Sequence, residues 1–151
     1  MVKKILSVLS IIISLLFCSC GTEEIRESST LIVLESDAFS FWVTNVSPTG
    51  VKAEVVNHAM ETLYWGSEWT LEESIDGVWY ELEIVPPEGV VVVSHDILFT
   101  LAGGQSRLLE FQWEGIIKEL SEGSYRIVKE FYYDDRKRED AINVACEFRI
   151  D

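Results

Sequence analysis

Positive charge is scarce in this sequence of 151 residues. Lys and Arg number 12 against 26 Asp and Glu, so the formal net charge is −14. Proteins that bind nucleic acid need clustered cations to neutralise the phosphates. We therefore exclude nucleic acid as a partner.

Familiar metal-binding and catalytic patterns are also missing. Neither His58 nor His95 has a cysteine or a second histidine at ligand spacing, and there is no D-x-D-x-D-G calcium loop. Ser94-His95-Asp96 has the residue types of a hydrolase triad, but neighbouring residues on an extended chain point to opposite faces. The sequence therefore predicts no catalytic residue, no metal and no cofactor, in a protein that is not an enzyme.

The sequence lacks an apolar run of the roughly 20 residues that a membrane-spanning helix needs. A shorter run of apolar residues and serines covers residues 5–17, directly after Lys3 and Lys4. A positive start followed by an apolar stretch of this length is typical of a secretory signal peptide. We predict a signal peptide over residues 1–19.

The next residues, Phe17-Cys18-Ser19-Cys20-Gly21, resemble a bacterial lipobox, in which small residues precede a cysteine that becomes lipidated. Cys20 fits this pattern better than Cys18, because small Ser19 precedes Cys20 whereas bulky Phe17 precedes Cys18. The resemblance implies a lipoprotein signal peptide, lipidation at Cys20 and a membrane contact through the N-terminal lipid. The alternative is an ordinary secretory signal with incidental cysteines.

Cleavage before Cys20 removes both signal-peptide lysines and leaves a mature chain of charge −16. Cys146 is then the only unmodified cysteine, so no intrachain disulfide can form and a packed core must hold the fold. Polar residues 20–30 predict a flexible tether after the lipidated cysteine. We expect an extracytoplasmic protein, anchored to the outer face of the bacterial cytoplasmic membrane.

From residue 31 onward, short apolar or alternating runs are separated by turn residues, which predicts about eight strands. Val51, Ala53 and Val55 alternate and should face inward. Asp76-Gly77 is typical of a type I′ hairpin turn. The pattern predicts an all-β fold over residues 31–151, either two packed antiparallel sheets or a small closed barrel. Four tryptophans in the predicted strands should lie in its core: Trp65, Trp69, Trp79 and Trp113.

Leu120-Ser121-Glu122-Gly123-Ser124-Tyr125 has the L-x-x-G-x-Y form of the tyrosine corner of immunoglobulin-like sandwiches. Together with the segments 66–72 and 76–80, it resembles the bacterial immunoglobulin-like (Ig-like) domain of small Gram-positive lipoproteins and secreted proteins. The resemblance implies an antiparallel β-sandwich of seven to nine strands. It also implies structural roles for Leu120, Gly123 and Tyr125, and no catalytic residues.

The expected function is a non-catalytic binding or structural module at the bacterial cell envelope. A weaker likeness to small Ig-like proteinase inhibitors of bacilli supports an alternative, in which the loop Val85–Val91 inhibits a protease. Arg136, Lys137 and Arg138 form a candidate binding loop between β-strands, where they would attract an acidic polymer or an envelope protein. These cations stand among four carboxylates, so a solvated hairpin end is the alternative interpretation.

Overall fold

The computed structural model describes residues 26–86, 88–89, 97–117, 119–134 and 140–151. Within these ranges the chain is all-β, and it contains no helix that is long and apolar enough to cross a bilayer. The nine strands are β1 (Phe39–Ser47), β2 (Gly50–Asn57), β3 (Leu63–Trp65), β4 (Thr70–Ile75), β5 (Val78–Glu81), β6 (Phe99–Leu101), β7 (Ser106–Gln112), β8 (Gly123–Phe131) and β9 (Ile142–Ile150).

Local sequence signals account for several of these strands. Val51, Ala53 and Val55 alternate with more exposed residues along β2 and are at most 2% exposed, which confirms their predicted inward orientation. The turn between β4 and β5 has positive φ angles of 52° at Asp76 and 80° at Gly77. A type I′ turn requires positive φ at both central positions, so the predicted hairpin is confirmed.

The strands form antiparallel sheets of three, four and two strands. Their orders are β1-β2-β7, β5-β4-β8-β9 and β3-β6. The small sheet joins the four-stranded one where β8 continues beyond Phe131, because the backbones of Tyr64 and Tyr132 exchange hydrogen bonds of 2.8 and 3.0 Å. The predicted antiparallel sandwich is therefore confirmed.

Aromatic side chains fill the space between the sheets. The fully buried Phe131 ring lies 4.9 Å from the ring of Phe39, 5.5 Å from that of Phe41 and 5.8 Å from that of Trp65, as measured between ring centroids. Tilted and edge-to-face contacts at these distances add to the free energy of burying the rings. The core therefore depends on contacts between strands of all three sheets.

The tryptophan predictions are partly right. Trp65 and Trp113 are 1% exposed, and the Trp113 indole Nε1 donates a hydrogen bond of 2.9 Å to the carbonyl oxygen of Pro48. Trp69 is half-buried against the core cluster. The prediction for Trp79 is wrong: it pairs with Ser74 at the sheet edge and stacks on the guanidinium of Arg126, outside the core. Long-range contact with Arg126 gives this ring a partner that local sequence does not reveal.

Asn57 is a buried polar residue at the end of β2, and both polar groups of its side chain are hydrogen-bonded. Its amide nitrogen donates to the carbonyl oxygens of Glu61 at 2.8 Å and Leu101 at 3.0 Å. Its amide oxygen accepts from the backbone N–H of Ala59 and the hydroxyl of Tyr133. Because a buried polar group is tolerated only when it is hydrogen-bonded, Asn57 holds β2, β6 and the end of β8 together.

Residues 26–34, which we call the strap, cross the outer face of the four-stranded sheet. Ser28 pairs with Tyr80 of β5, and Leu34 N–H donates 2.8 Å to the carbonyl oxygen of Asn143 in β9. Since β5 and β9 are the two edges of that sheet, the strap runs from one edge to the other. Arg26, Ser28 and Ser29, which belong to the predicted flexible tether, are thus bonded to the sheet, whereas residues 20–25 lie outside the described part.

The L-x-x-G-x-Y segment makes the contacts that give a tyrosine corner its name. The Tyr125 hydroxyl donates a hydrogen bond of 2.9 Å to the carbonyl oxygen of Ser121, four residues upstream. Leu120 is buried in the core. A Cβ atom at Gly123 would lie 3.2 Å from the Tyr125 hydroxyl, so glycine lets the ring pack against the backbone.

Tyr125→Phe should lower the free energy of unfolding by about 0.5–1.5 kcal/mol, because it removes the hydroxyl that donates to Ser121 and lies 3.4 Å from Glu73 Oε1, and leaves the ring. Tyr80→Phe is the matched control, since no hydrogen bond of its hydroxyl is present in the described part of the chain, and it should change stability less. Urea unfolding measures both. Equal stabilities of Tyr125→Phe and wild type would show that the corner bond contributes nothing.

Candidate binding site

Several predicted site residues lie outside the described residues. They are Cys20, the candidate binding loop Arg136, Lys137 and Arg138, and Ser94-His95-Asp96. Their roles stay predictions. Of the proposed inhibitory loop, Val85 is 64% exposed while its backbone N–H donates 2.8 Å to the carbonyl oxygen of Ile116.

Cys146 is a buried side chain on β9, 3% exposed, and it alternates along the strand with the buried residues Val144 and Phe148. Burial raises the pKa of its thiol to about 12. A thiol with so high a pKa stays protonated near neutral pH and is a poor nucleophile. Within the described ranges, no group of three or more His, Cys, Asp or Glu side chains is placed to hold a metal ion.

A buried ion pair lies on the outer face of the four-stranded sheet, beneath the strap. Glu72 of β4 is 0% exposed, and its Oε2 lies 2.5 Å from Nε of Arg126 on β8. The hydroxyl of Ser29, in the strap, donates to the other carboxylate oxygen of Glu72. Arg126 in turn lies with its guanidinium carbon 4.3 Å from the centroid of the Trp79 ring.

This arrangement satisfies charges that would otherwise be costly to bury. Removing an ion pair from water carries a desolvation penalty that only close pairing and further hydrogen bonds offset. Ser29 and Trp79 supply those additional contacts on either side of the pair. The ion pair on the outer face therefore has a structural role, because residues of the chain itself make its remaining contacts.

A second cluster of charge lies at the open side of the sandwich, between β7 and the connection from β3 to β4. There, a cavity of about 250 Å³ is lined by aromatic rings and two cations; we call it the Arg107 cavity. The guanidinium carbon of Arg107 lies 5.6 Å from the centroid of the Trp65 ring and 5.2 Å from that of Phe99. Those two rings stack on each other at 6.0 Å.

Lys129 is the other cation of the Arg107 cavity. It lies on the inward-facing side of β8 and is 4% exposed. Its Nζ donates to the carbonyl oxygens of Gly66 at 2.8 Å and Glu68 at 2.7 Å. Burial lowers the pKa of Lys129 to about 8, although the negative charges of Glu68 and Glu130 act in the opposite direction.

The fold agrees with a match between this sequence and a known protein family. The family model described as a bacterial Ig-like domain matches residues 36–148, well over half of the chain. The chain belongs to the bacterial Ig-like domain family. A search of curated proteins finds no match.

Sequence reasoning did not identify Glu72, Arg126, Arg107 or Lys129 as members of clusters in this Ig-like domain. A signal for Lys129 was available, because it occupies the same alternating face of β8 as Tyr125, Ile127 and Phe131. A charged residue on an inward face marks a site that needs explanation. The partners of the other three come from distant parts of the chain and carry no local signal.

Glu72→Gln should lower the free energy of unfolding of the Ig-like domain by about 3–5 kcal/mol, because it leaves the buried guanidinium of Arg126 without a countercharge. Urea unfolding of the full chain measures the loss. Glu110→Gln is the matched control: its exposed partner Lys52 lies 2.8 Å away, and an exposed pair contributes at most about 1 kcal/mol.

The double variant Glu72→Leu/Arg126→Met should be less destabilised than Glu72→Gln, since it removes both charges together. If Glu72→Gln were no more destabilised than Glu110→Gln, the outer-face pair would not be a buried ion pair in solution.

Lys129 should make stability rise with pH between about 8 and 10.5. In that window the folded state, with Lys129 at a pKa of about 8, binds fewer protons than the unfolded state at 10.5. The burial penalty of the ammonium is therefore full below pH 8 and is relieved above it. Across this pH window, we expect the free energy of unfolding of wild type to rise by on the order of 3 kcal/mol relative to that of Lys129→Met.

The measurement is urea unfolding of both proteins at several pH values. Tyrosine and cysteine residues titrate in both proteins, so their contributions cancel in the difference between the two free energies of unfolding. A difference between wild type and Lys129→Met that stays constant from pH 8 to 10.5 would contradict the buried ammonium.

Proposed function

We propose that this chain is a lipid-anchored, non-catalytic binding module of the bacterial cell envelope, located at the outer face of the cytoplasmic membrane. The observation that carries the proposal is the close spacing between Cys20 in the lipobox-like segment and the strap, which begins at Arg26 on the surface of the Ig-like domain. The domain would thus be attached to its lipid by a few residues only.

The strap sets which end of the domain such an anchor would hold near the membrane. Arg26 Nη1 lies 2.6 Å from Glu73 Oε2, and Glu73 pairs with Tyr125 near the start of β8. Six residue steps from Cys20 to Arg26 reach at most about 20 Å. The end where β8 begins would therefore stay close to the bilayer.

The opposite end of the sandwich would then face away from the bilayer. Phe131 ends β8 there, and Asn57 meets Tyr133 beside it. The Arg107 cavity lies in this half of the domain, because Arg107 pairs with Val55 near the end of β2. A ligand of the envelope could enter the cavity without meeting the lipid surface, which supports a binding role for an anchored domain.

Cys20→Ala should abolish incorporation of radiolabelled palmitate and leave a larger, uncleaved precursor, because the acceptor sulfur is lost. Cys18→Ala is the matched control two residues away, and it should keep both label and processing. Expression in a bacterial host that carries out lipoprotein processing, followed by gel electrophoresis, measures both properties.

Label lost from Cys18→Ala and kept in Cys20→Ala would assign the lipid to the other cysteine. A wild-type chain that takes up no label would overturn the anchored part of the proposal.

A further inference from the structure

A groove lies between the strap and the stretch of chain that begins at the end of β5. Its volume is about 700 Å³, which is within the range of ligand-binding pockets. We call it the strap groove; it is lined by residues 26–30 of the strap, by residues 81–83, and by Val85 and Ile117. Most of these residues are exposed, so a ligand can reach the groove without displacing the core.

Part of the strap groove is apolar. Leu82 and Ile117 are half-buried and pack against the hydrophobic core, which holds their positions. Val85 adds an apolar side chain that is 64% exposed. An apolar group of a ligand that covered these three side chains would remove further apolar surface from water, and this favours binding.

Three carboxylates give the strap groove a negative charge: those of Glu27, Glu81 and Glu83. All three residues are exposed, and no hydrogen bond or ion pair of their side chains is present in the described part of the chain. Arg26 also lines the groove, but its guanidinium lies 2.6 Å from a carboxylate oxygen of Glu73. The groove therefore complements a ligand that carries positive charge.

The backbone beside these carboxylates also has capacity for hydrogen bonds. The N–H of Leu82 donates 2.9 Å to the carbonyl oxygen of Leu71, and the N–H of Val85 donates 2.8 Å to that of Ile116. Between them, no backbone hydrogen bond of residues 83 and 84 is present in the described part of the chain. Amide groups of an extended peptide can pair with such a segment, whereas a simple amine would use the carboxylates alone.

Charge argues against the neighbouring segments of the chain itself as the occupant. Residues 20–25 contain Glu23 and Glu24, and residues 87–96 contain Glu88 and Asp96. Neither segment has a Lys or an Arg. Like charges brought together in the groove would repel, so the matching cations must come from another molecule.

We propose that the strap groove binds an extended basic peptide segment of a partner protein. Lys or Arg side chains of the segment pair with the three carboxylates, and an apolar side chain between them covers Val85 and Leu82. The inference rests on the proposed binding role of the domain and specifies the class of its partner. Because the strap begins six residue steps after Cys20, an anchored domain would present this groove close to the membrane surface.

The test is a titration of the full chain, purified in mild detergent, with the peptide acetyl-Lys-Val-Lys-Val-Lys-amide as the probe. In an extended peptide the valines can face the apolar residues while the long lysine stems reach the carboxylates. Calorimetry measures the affinity, and NMR follows the backbone N–H signals of Glu83 and Ile84. We expect saturable binding that shifts both signals.

Two further ligands separate the parts of this recognition. Acetyl-Glu-Val-Glu-Val-Glu-amide, with the charge reversed, should show no saturable binding. Spermidine carries three positive charges but no amide groups, and it should bind at least about tenfold more weakly than the lysine peptide. Raising the salt from about 0.1 M to about 1 M shortens the screening length from about 10 Å to about 3 Å and should weaken peptide binding.

The double variant Glu81→Gln/Glu83→Gln should weaken binding of the lysine peptide by at least about fivefold, because two pairing charges are lost. Both residues are exposed, so the fold should be retained. Glu61→Gln/Glu114→Gln is the matched control: it removes the same charge from two exposed residues that do not line the groove. It should change the affinity by less than about twofold.

Equal weakening by the two double variants would show that the chain attracts cations without using this groove, and would overturn the proposal. Spermidine that binds as tightly as the lysine peptide would also overturn it, in favour of a general cation site. So would the absence of saturable peptide binding at concentrations on the order of 10 mM. These outcomes are separable from a failure of the anchor, because lipid labelling at Cys20 is measured independently of the groove.

Discussion

The buried pair between Glu72 and Arg126 is the constraint on which the outer half of this molecule depends. Two opposite charges on neighbouring strands are removed from water, so their environment must supply every remaining contact. Ser29 provides the contact on the carboxylate side and Trp79 the one on the guanidinium side. The strap therefore cannot leave the sheet without exposing a charged pair whose geometry was built for burial.

The burial of β8 is unusual, and the same pair contributes to it through Arg126. Five consecutive residues, 125–129, are buried, although neighbours on a strand point to opposite faces. The sandwich core covers the inward residues, and on the outward side Ser29 of the strap donates to the Glu72 carboxylate that pairs with Arg126. Because the strap lies against the outward face of the sheet, it is held firmly on the domain. A lipid at Cys20 would therefore orient the domain.

The inner face of the four-stranded sheet also buries a charged residue, but its charge is held by different groups. Lys129 lies among core aromatics but is held by the carbonyl oxygens of Gly66 and Glu68. Arg107 reaches the same cavity from β7 and rests on aromatic rings.

Local pattern was sufficient for several strands and turns in the described part of this protein. The alternation of Val51, Ala53 and Val55 determined the inward face of β2, and Asp76-Gly77 determined a hairpin, because each depends on neighbours in sequence. The L-x-x-G-x-Y segment likewise carried the fold family, which residues 36–148 match. Only the tertiary structure decided the position of the strap, the outward place of Trp79 and the carbonyl partners of Lys129. Glu72 and Arg126 are 54 residues apart in sequence, and Ser29 and Glu72 are 43 apart. Contacts over such separations arise from how strands are ordered in the sheets, and periodicity within one strand carries no information about that order.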